Sequence, residues 1–449
     1  MTSLRGLKRQ MSTHEGSVSP PPVKRKVEST TTKSAVASFF TPASKKVPEK
    51  ISWRVVNETL LVARYGSPNP SSSQARQRVV GLDFDSTLIS PASGKKFGRD
   101  ALDWKWWHSS VPGTIKSLAR DGHLIVVMSN QGGISLNGGS KTLKMDQKRL
   151  SDFKGKVAAV LAQLDIPITV YAATGRDQYR KPRTGMWQQL IKDYEVEPAD
   201  SVDLENSVFV GDAAGRLGSM NNGAAKDHSC SDRDFASNVG IDFKTPEEFF
   251  LGEQPKPFVR LFDPAKYLVE ATTMLTDAAS LRFARLNPLD LVLFCGSPGA
   301  GKSTLYWQHL KPLGYERVNQ DVLKTRDRCM KNAVELISNG SPVVVDNTNA
   351  DPDTRSQWIN LAKRLDVPIR CILFTADPRL CEHNDTVRAL NVTLMNPEKR
   401  TLLPKIAFAG FLSRYREPSL QEGFQDITKV DFKFEGSEEQ QKVWRKFWI

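Results

Sequence analysis

The stretch Gly296-Ser297-Pro298-Gly299-Ala300-Gly301-Lys302-Ser303-Thr304 follows the apolar run 291–295 and precedes Leu305-Tyr306-Trp307. It reads as strand, glycine-rich turn and helix, with G-x-x-x-x-G-K-[S/T] complete from Gly296 to Ser303. Glycines there let backbone N–H groups curl around a polyphosphate, and the following helix N-terminus adds positive potential. Lys302 is spaced to reach the β- and γ-phosphates, and the Ser303 hydroxyl to hold Mg²⁺. A chance glycine-rich turn would not need the flanking strand and helix, so this half of the chain is expected to bind ATP or GTP.

Alternating segments surround the loop. Residues 315–321, 342–345 and 369–374 read as strands, and 267–286, 322–339, 353–365 and 377–390 as helices. Upstream the alternation repeats, with β-rich runs at 78–84, 123–128, 168–173 and 207–210 and helical spacing over 142–164 and 185–194. Pro255, Pro257 and Pro264 mark 251–264 as a linker. The fold class is therefore α/β: two tandem parallel-sheet domains, 51–255 and 256–449, after a tail over 1–50.

Composition agrees. A chain of 449 residues is long for one core. Its formal net charge is +13, but residues 1–50 hold ten Lys/Arg against three Asp/Glu, so about half of the excess sits in the tail. Basic charge suits a polyanionic partner without identifying it. Cys230, Cys295, Cys329, Cys371 and Cys381 form no C-x-x-C pair, which fits free thiols in a reducing compartment. Aliphatic runs such as 124–128 fall far short of the ~20 residues of a membrane span, and no apolar signal core opens the chain. A soluble intracellular monomer is expected. The Ser-, Thr-, Pro- and Lys-rich tail shows no period and reads as disordered. Within it, Pro20-Pro21-Pro22-Val23-Lys24-Arg25-Lys26-Val27 resembles a nuclear localisation signal and points to the nucleus, a solvated charge run being the alternative. Val36, Phe39 and Phe40 resemble a sliding-clamp-binding peptide, with Lys33 where glutamine is usual; a nonspecific hydrophobic spot is the other reading.

Asp83-Phe84-Asp85-Ser86-Thr87-Leu88 follows directly on a hydrophobic strand. Ligands of parallel sheets bind at strand carboxyl ends. Period-two alternation puts both acids of D-x-D on one side, where one can attack an electrophile and the other handle a proton. Later strand ends carry Ser129-Asn130 and Gly211-Asp212, and Lys181 sits in Tyr179-Arg180-Lys181-Pro182. This ordered set resembles the haloacid-dehalogenase phosphatase superfamily. The resemblance implies that Asp83 is a nucleophile forming an aspartyl-phosphate and that Asp85 is general acid, then base. It also implies that Ser129 and Lys181 hold the phosphate, with Asp83, Asp212 and the Asp85 carbonyl around Mg²⁺. Trp104, Trp106 and Trp107 could stack on bases or pack in the core.

In the second domain Asp321 ends a strand beyond the nucleotide loop, as a general base for an accepting hydroxyl would, or as a helix N-cap. Asp346 ends the next strand and can assist Mg²⁺ or pair with Asn347 or Asn349. Arg388 lies in a polar helix where a lid arginine over the phosphates is expected; a solvated arginine is the alternative. D-F-D-S-T-L, R-K-P-x-T-G-M-W, G-D-A-A-G-R, G-S-P-G-A-G-K-S-T and D-N-T-N, in that order, resemble the eukaryotic polynucleotide kinase/3′-phosphatase family over about residues 53–426. That resemblance implies an enzyme that removes 3′-phosphates and phosphorylates 5′-hydroxyls with ATP at DNA nicks, gaps and double-strand ends. Larger animal members carry an N-terminal forkhead-associated domain, which has no counterpart in residues 1–50. Members also place arginine before the kinase aspartate, where this chain has Gln320. Three other readings stay open: a small-metabolite kinase/phosphatase fusion, an RNA-end-healing enzyme lacking an H-x-[S/T] partner motif, and a non-catalytic DNA-end or clamp adaptor.

Overall fold

Runs of aliphatic residues without polar alternation belong in strands covered on both faces. Residues 78–84 contain such a strand, and it lies near the middle of a seven-stranded sheet. The computed structural model describes residues 50–66, 76–136, 143–195, 201–218, 226–268 and 284–449. The basic cluster, Phe39-Phe40 and most of the helix expected at 267–286 lie outside the described residues.

The first sheet uses β1 (Ile51–Val56), β2 (Leu60–Tyr65), β3 (Val79–Leu82), β6 (Leu124–Asn130), β7 (Ile168–Ala173), β8 (Val208–Val210) and β9 (Asp242–Lys244). The short pair β4 (Ile89–Ser90) and β5 (Lys105–Trp106) stands apart. The order is β1-β2-β7-β6-β3-β8-β9. The five strands from β7 to β9 are parallel, as expected. A hairpin over 51–65 adds β1 and β2 antiparallel on β7, so the sheet is mixed. That hairpin turns through Asn57 and Glu58, both at positive φ, with no Gly or Pro to announce it. Trp104, Trp106 and Trp107 pack half-buried against the core, and Trp106 Nε1 donates to Gln163 Oε1 at 3.0 Å. Packing is therefore one of their roles, and the faces left exposed keep the stacking reading open.

The second sheet is all parallel, in the order β11-β12-β10-β13-β14. Its strands are β10 (Leu291–Cys295), β11 (Glu316–Val318), β12 (Val343–Val345), β13 (Ile369–Phe374) and β14 (Ile427–Val430). The edge strand β14 is short, incompletely buried and carries Lys429, so it has no buried-strand signature. The single helix expected over 322–339 is two, Gln320–Leu323 and Arg326–Ser338. Lys324 breaks it at φ 73°, and the Thr325 side chain caps the second helix by accepting from the Arg328 N–H.

The proline-marked connection is pinned along its length. Val259 N–H donates to Gly215 O at 2.9 Å and Arg260 pairs with Asp234 at 2.7 Å; just beyond the connection, Phe434 N–H donates to Tyr267 O at 2.9 Å. Among the described residues no helix is long and apolar enough to cross a membrane.

Gly81 sits in β3 against the buried ring of Phe209, where an added Cβ would lie 2.7 Å from Cδ2. Gly81→Ala is expected to cost ~1–3 kcal/mol through overpacking, lowering the urea midpoint. An unchanged midpoint would show that β8 yields freely.

Candidate active sites

Parallel strands deliver their terminal side chains to one edge of the sheet. At the edge of the first sheet, Asp83 follows β3, Ser129 closes β6 and Asp212 follows β8. The buried Lys181 ammonium reaches them from the loop after β7. It lies 2.8 Å from Asp83 Oδ1 and 2.8 Å from Asp232 Oδ1. Burial works against the charge on Lys181, but Asp232 and Asp83 outweigh it and hold the ammonium above its ordinary pKa. The loop is locked from below by Asn130, which donates Nδ2–H to Lys181 O at 3.0 Å and accepts the Lys181 N–H on Oδ1 at 2.8 Å.

Asp232 went unnoticed in the sequence. It lies 20 residues beyond Asp212, on the first turn of the helix Ser231–Val239, with no motif spacing to mark it. Gly211 explains its approach: a Cβ there would fall 2.2 Å from Asp232 Oδ2. Asp83, Asp212 and Asp232 each offer an oxygen, all within 4.8 Å of one another. Burial and then mutual repulsion with Asp83 push Asp212 well above the ordinary carboxylate range. Burial does the same to Asp232 despite Lys181. Three crowded carboxylates of this kind suit a hard divalent cation.

Asp85 stands at the mouth of the site, where Gln131 Nε2–H donates to its Oδ2 at 2.7 Å and to Ser129 Oγ at 3.0 Å. Crowding by protein atoms, then the charge on Asp83, raise its pKa against the pull of Gln131. Asp85 nevertheless reaches solvent at the site mouth.

The second site is a cavity of about 1500 Å³ lined by the glycine-rich loop, Asp321, Asp346, Asn384, Arg388 and Arg400, among others. Lys302 is buried and donates to Gly296 O at 3.0 Å and Ser297 O at 2.6 Å. Burial lowers its pKa, with Asp346 opposing. The Ser303 hydroxyl donates to Asp346 Oδ2 at 2.9 Å. Thus Asp346 pairs with the loop serine and with Arg317 at 2.6 Å, not with Asn347 or Asn349.

Asp321 is not the N-cap of its helix. Asn319 holds that place, accepting the Asp321 N–H on Oδ1 at 2.9 Å and donating Nδ2–H to Asp346 O at 2.6 Å. The Asp321 side chain is 73% exposed, faces the cavity and meets Arg400 at 3.1 Å. Arg388 lines the same cavity with one nitrogen 2.6 Å from Asp385 Oδ1 and a buried Nε that has no hydrogen-bond partner among the described residues. Arg317 and Arg400 were missed because neither falls in a phosphate-loop motif. Arg400 is placed by Asn396, which accepts its N–H at 2.8 Å and donates to its carbonyl at 2.6 Å.

A family model described as polynucleotide kinase 3 phosphatase matches residues 78–250, and one described as AAA domain matches residues 291–418. The chain is 37% identical over 385 residues to the bifunctional polynucleotide phosphatase/kinase of Schizosaccharomyces pombe, spanning 86% of this chain and 85% of that protein. It is 32% identical to a putative bifunctional polynucleotide phosphatase/kinase of Acanthamoeba polyphaga mimivirus, over 82% of this chain and 88% of the other. A polynucleotide 3′-phosphatase of Saccharomyces cerevisiae is 28% identical over 39% of this chain and 87% of its own length.

Carboxylates with raised folded-state pKa values stabilise the fold below their unfolded value of about 3.9, and that contribution is lost as pH rises through the folded values. In chelator, the melting temperature should therefore fall from about pH 4 through neutrality more steeply for the parent chain than for Asp212→Asn. Adding Mg²⁺ at neutral pH should restore the parent preferentially. Parallel pH profiles for the two proteins would contradict the crowded-carboxylate description.

Proposed function

This chain belongs to the bifunctional polynucleotide phosphatase/kinase family, and we propose on that premise that each half works on one end of a DNA strand break. The first half removes a 3′-phosphate and the second phosphorylates a 5′-hydroxyl with ATP. The observation that carries the reading is the buried Lys181 held against Asp83 at a strand end, a cationic phosphate seat beside a nucleophile.

In the phosphatase half, Asp83 attacks phosphorus and the bond to the sugar 3′-oxygen breaks. Asp85, whose raised pKa favours a held proton, gives it to the departing oxygen. Asp85 then takes a proton from water as the water oxygen attacks phosphorus and the bond to the Asp83 oxygen breaks, which releases inorganic phosphate and frees Asp83. Lys181 and the Ser129 hydroxyl bind the phosphoryl oxygens, and Gln131 keeps Asp85 and Ser129 in register. Asp83, Asp212 and Asp232 would hold Mg²⁺, with the Asp85 carbonyl, and when bound it would supply charge neutralisation for the phosphoryl group.

In the kinase half, the backbone of residues 296–304 and Lys302 cradle the triphosphate. Lys302 is bound to neutral carbonyls, so incoming phosphate supplies its counter-charge. Ser303 and Asp346, 2.9 Å apart, would hold Mg²⁺. Asp321 takes the proton of the 5′-hydroxyl as that oxygen attacks the γ-phosphorus and ADP departs. Arg388 and Arg400 face the same cavity and balance charge on the transferred group. Domain bounds of 51–255 and 256–449 follow from this division. The tail fits import to the nucleus through Lys24, Arg25 and Lys26, and contact with a sliding clamp through Val36, Phe39 and Phe40.

A nicked duplex bearing a 3′-phosphate and a 5′-hydroxyl tests the assignment. Asp83→Asn should abolish phosphate release and spare 5′-phosphorylation. Asp321→Asn should cut kinase turnover at least ~10²-fold with ATP binding and phosphatase unchanged, since Asn319, not Asp321, caps the helix. Loss of both activities from either folded variant would overturn the two-site assignment, and preference for a small phosphomonoester would favour the metabolite reading.

A further inference from the structure

Lys181 can bridge Asp83 and Asp232 only if the loop that carries it is fixed on both sides. Asn130 fixes the inner side. The outer side is fixed from the other half of the molecule. Asn238, on the last turn of the same helix that carries Asp232, donates Nδ2–H to Pro182 O at 2.9 Å and to Phe447 O at 2.7 Å. Its Oδ1 accepts the Phe447 N–H at 2.9 Å. One amide thus joins the residue after Lys181 to both backbone groups of Phe447.

Arg183, two residues beyond Lys181, makes the second joint. Its Nε–H donates to Trp448 O at 3.0 Å, and Nη1 to Asp177 O at 2.7 Å and Arg176 O at 2.5 Å. Three backbone carbonyls hold this guanidinium, while burial and then the neighbouring Arg180 bring its pKa down to about 10. The Arg260 guanidinium lies 4.7 Å from the centroid of the Phe447 ring.

The segment that reaches across is rigidly rooted. Trp444 is buried, stacks on Phe434 at 4.7 Å, and donates Nε1–H to Asn384 Oδ1 at 2.9 Å. Asn384 in turn donates to Gly299 O of the glycine-rich loop at 2.9 Å. His383 Nε2–H donates to Trp444 O at 2.9 Å. From Gly299 to Lys181 the connection runs through packed rings and short hydrogen bonds.

We propose that Phe447 and Trp448 of the kinase half, acting through Asn238 and Arg183, are positioning residues for the phosphatase half: they hold the Lys181 loop at the distance its phosphate seat requires. The proposal rests on the phosphatase reading given above. Outer contacts of this kind typically change activity ~10–100-fold, and misplacement by about 1 Å can cost ~10²-fold.

The test uses the full chain, Asn238→Ala, a chain ending at Arg445, and the double variant. Each is assayed for phosphate release from a 3′-phosphorylated oligonucleotide and from a nucleoside 3′-monophosphate, and for 5′-kinase activity. Each single variant should lose ~10–100-fold in phosphatase kcat on both substrates, with KM changed far less and kinase activity within about twofold. The double variant should lose less than the product of the two single losses, because both variants break the shared joint between Asn238 and Phe447. The proposal is overturned by phosphatase kcat within about twofold of the parent, by loss on the oligonucleotide only (a strand-binding role), or by equal loss of both activities (general destabilisation). If the parent releases no phosphate from the 3′-phosphorylated oligonucleotide, the underlying phosphatase reading falls instead.

Discussion

A buried ammonium between two carboxylates is the constraint on which the first half is built. Removing the ammonium from such a cluster leaves buried carboxylates uncompensated, typically worth ~3–5 kcal/mol. The surroundings therefore have to fix all three groups. β3 fixes Asp83, Gly211 leaves room for Asp232, and Asn130 clamps the Lys181 backbone. The helix Ser231–Val239 embraces the loop from both ends, Asp232 on the side chain and Asn238 on the main chain. The geometry of the proposed site and the stability of the fold rest here on the same set of contacts.

The two lysines proposed to meet phosphate lie in opposite electrostatic settings. Lys181 already has carboxylate partners and keeps its charge firmly, so a phosphate arriving there would compete with Asp83 and Asp232. A divalent cation among Asp83, Asp212 and Asp232 would ease that competition. Lys302 donates to two carbonyls, and burial weakens its hold on its proton. A triphosphate completes that site rather than competing for it. One lysine suits transient seating of a group about to be hydrolysed; the other suits capture of a cosubstrate.

Much of this was legible in the sequence because strand-end motifs are local. D-x-D, Ser129, Lys181, Gly211-Asp212 and the glycine-rich loop each follow a run whose apolar character marks the strand. The structure gathers Asp83, Asp85, Ser129, Lys181 and Asp212 at one sheet edge, and Lys302, Ser303, Asp321, Asp346 and Arg388 around one cavity. What escaped was non-local. Asp232, Arg317 and Arg400 reach their sites from positions with no motif. The hairpin 51–65 turns without glycine, and β14 is too short to show a pattern. Asp321 and Asn319 are two residues apart, and only hydrogen-bond geometry separates cap from cavity-facing carboxylate. The proline-rich linker read as a spacer because backbone pairing to Gly215 leaves no sequence trace.

The central claim is that Asp83, seated against Lys181, becomes covalently phosphorylated. Rapid acid quench of the full chain with an oligonucleotide bearing a radiolabelled 3′-phosphate addresses it directly. Label should appear on protein before inorganic phosphate, accumulate further in Asp85→Asn, map to the peptide containing Asp83, and be absent from Asp83→Asn. Phosphate release at the parent rate with no protein-bound label in Asp85→Asn at any time, or label on a different residue, would contradict the account.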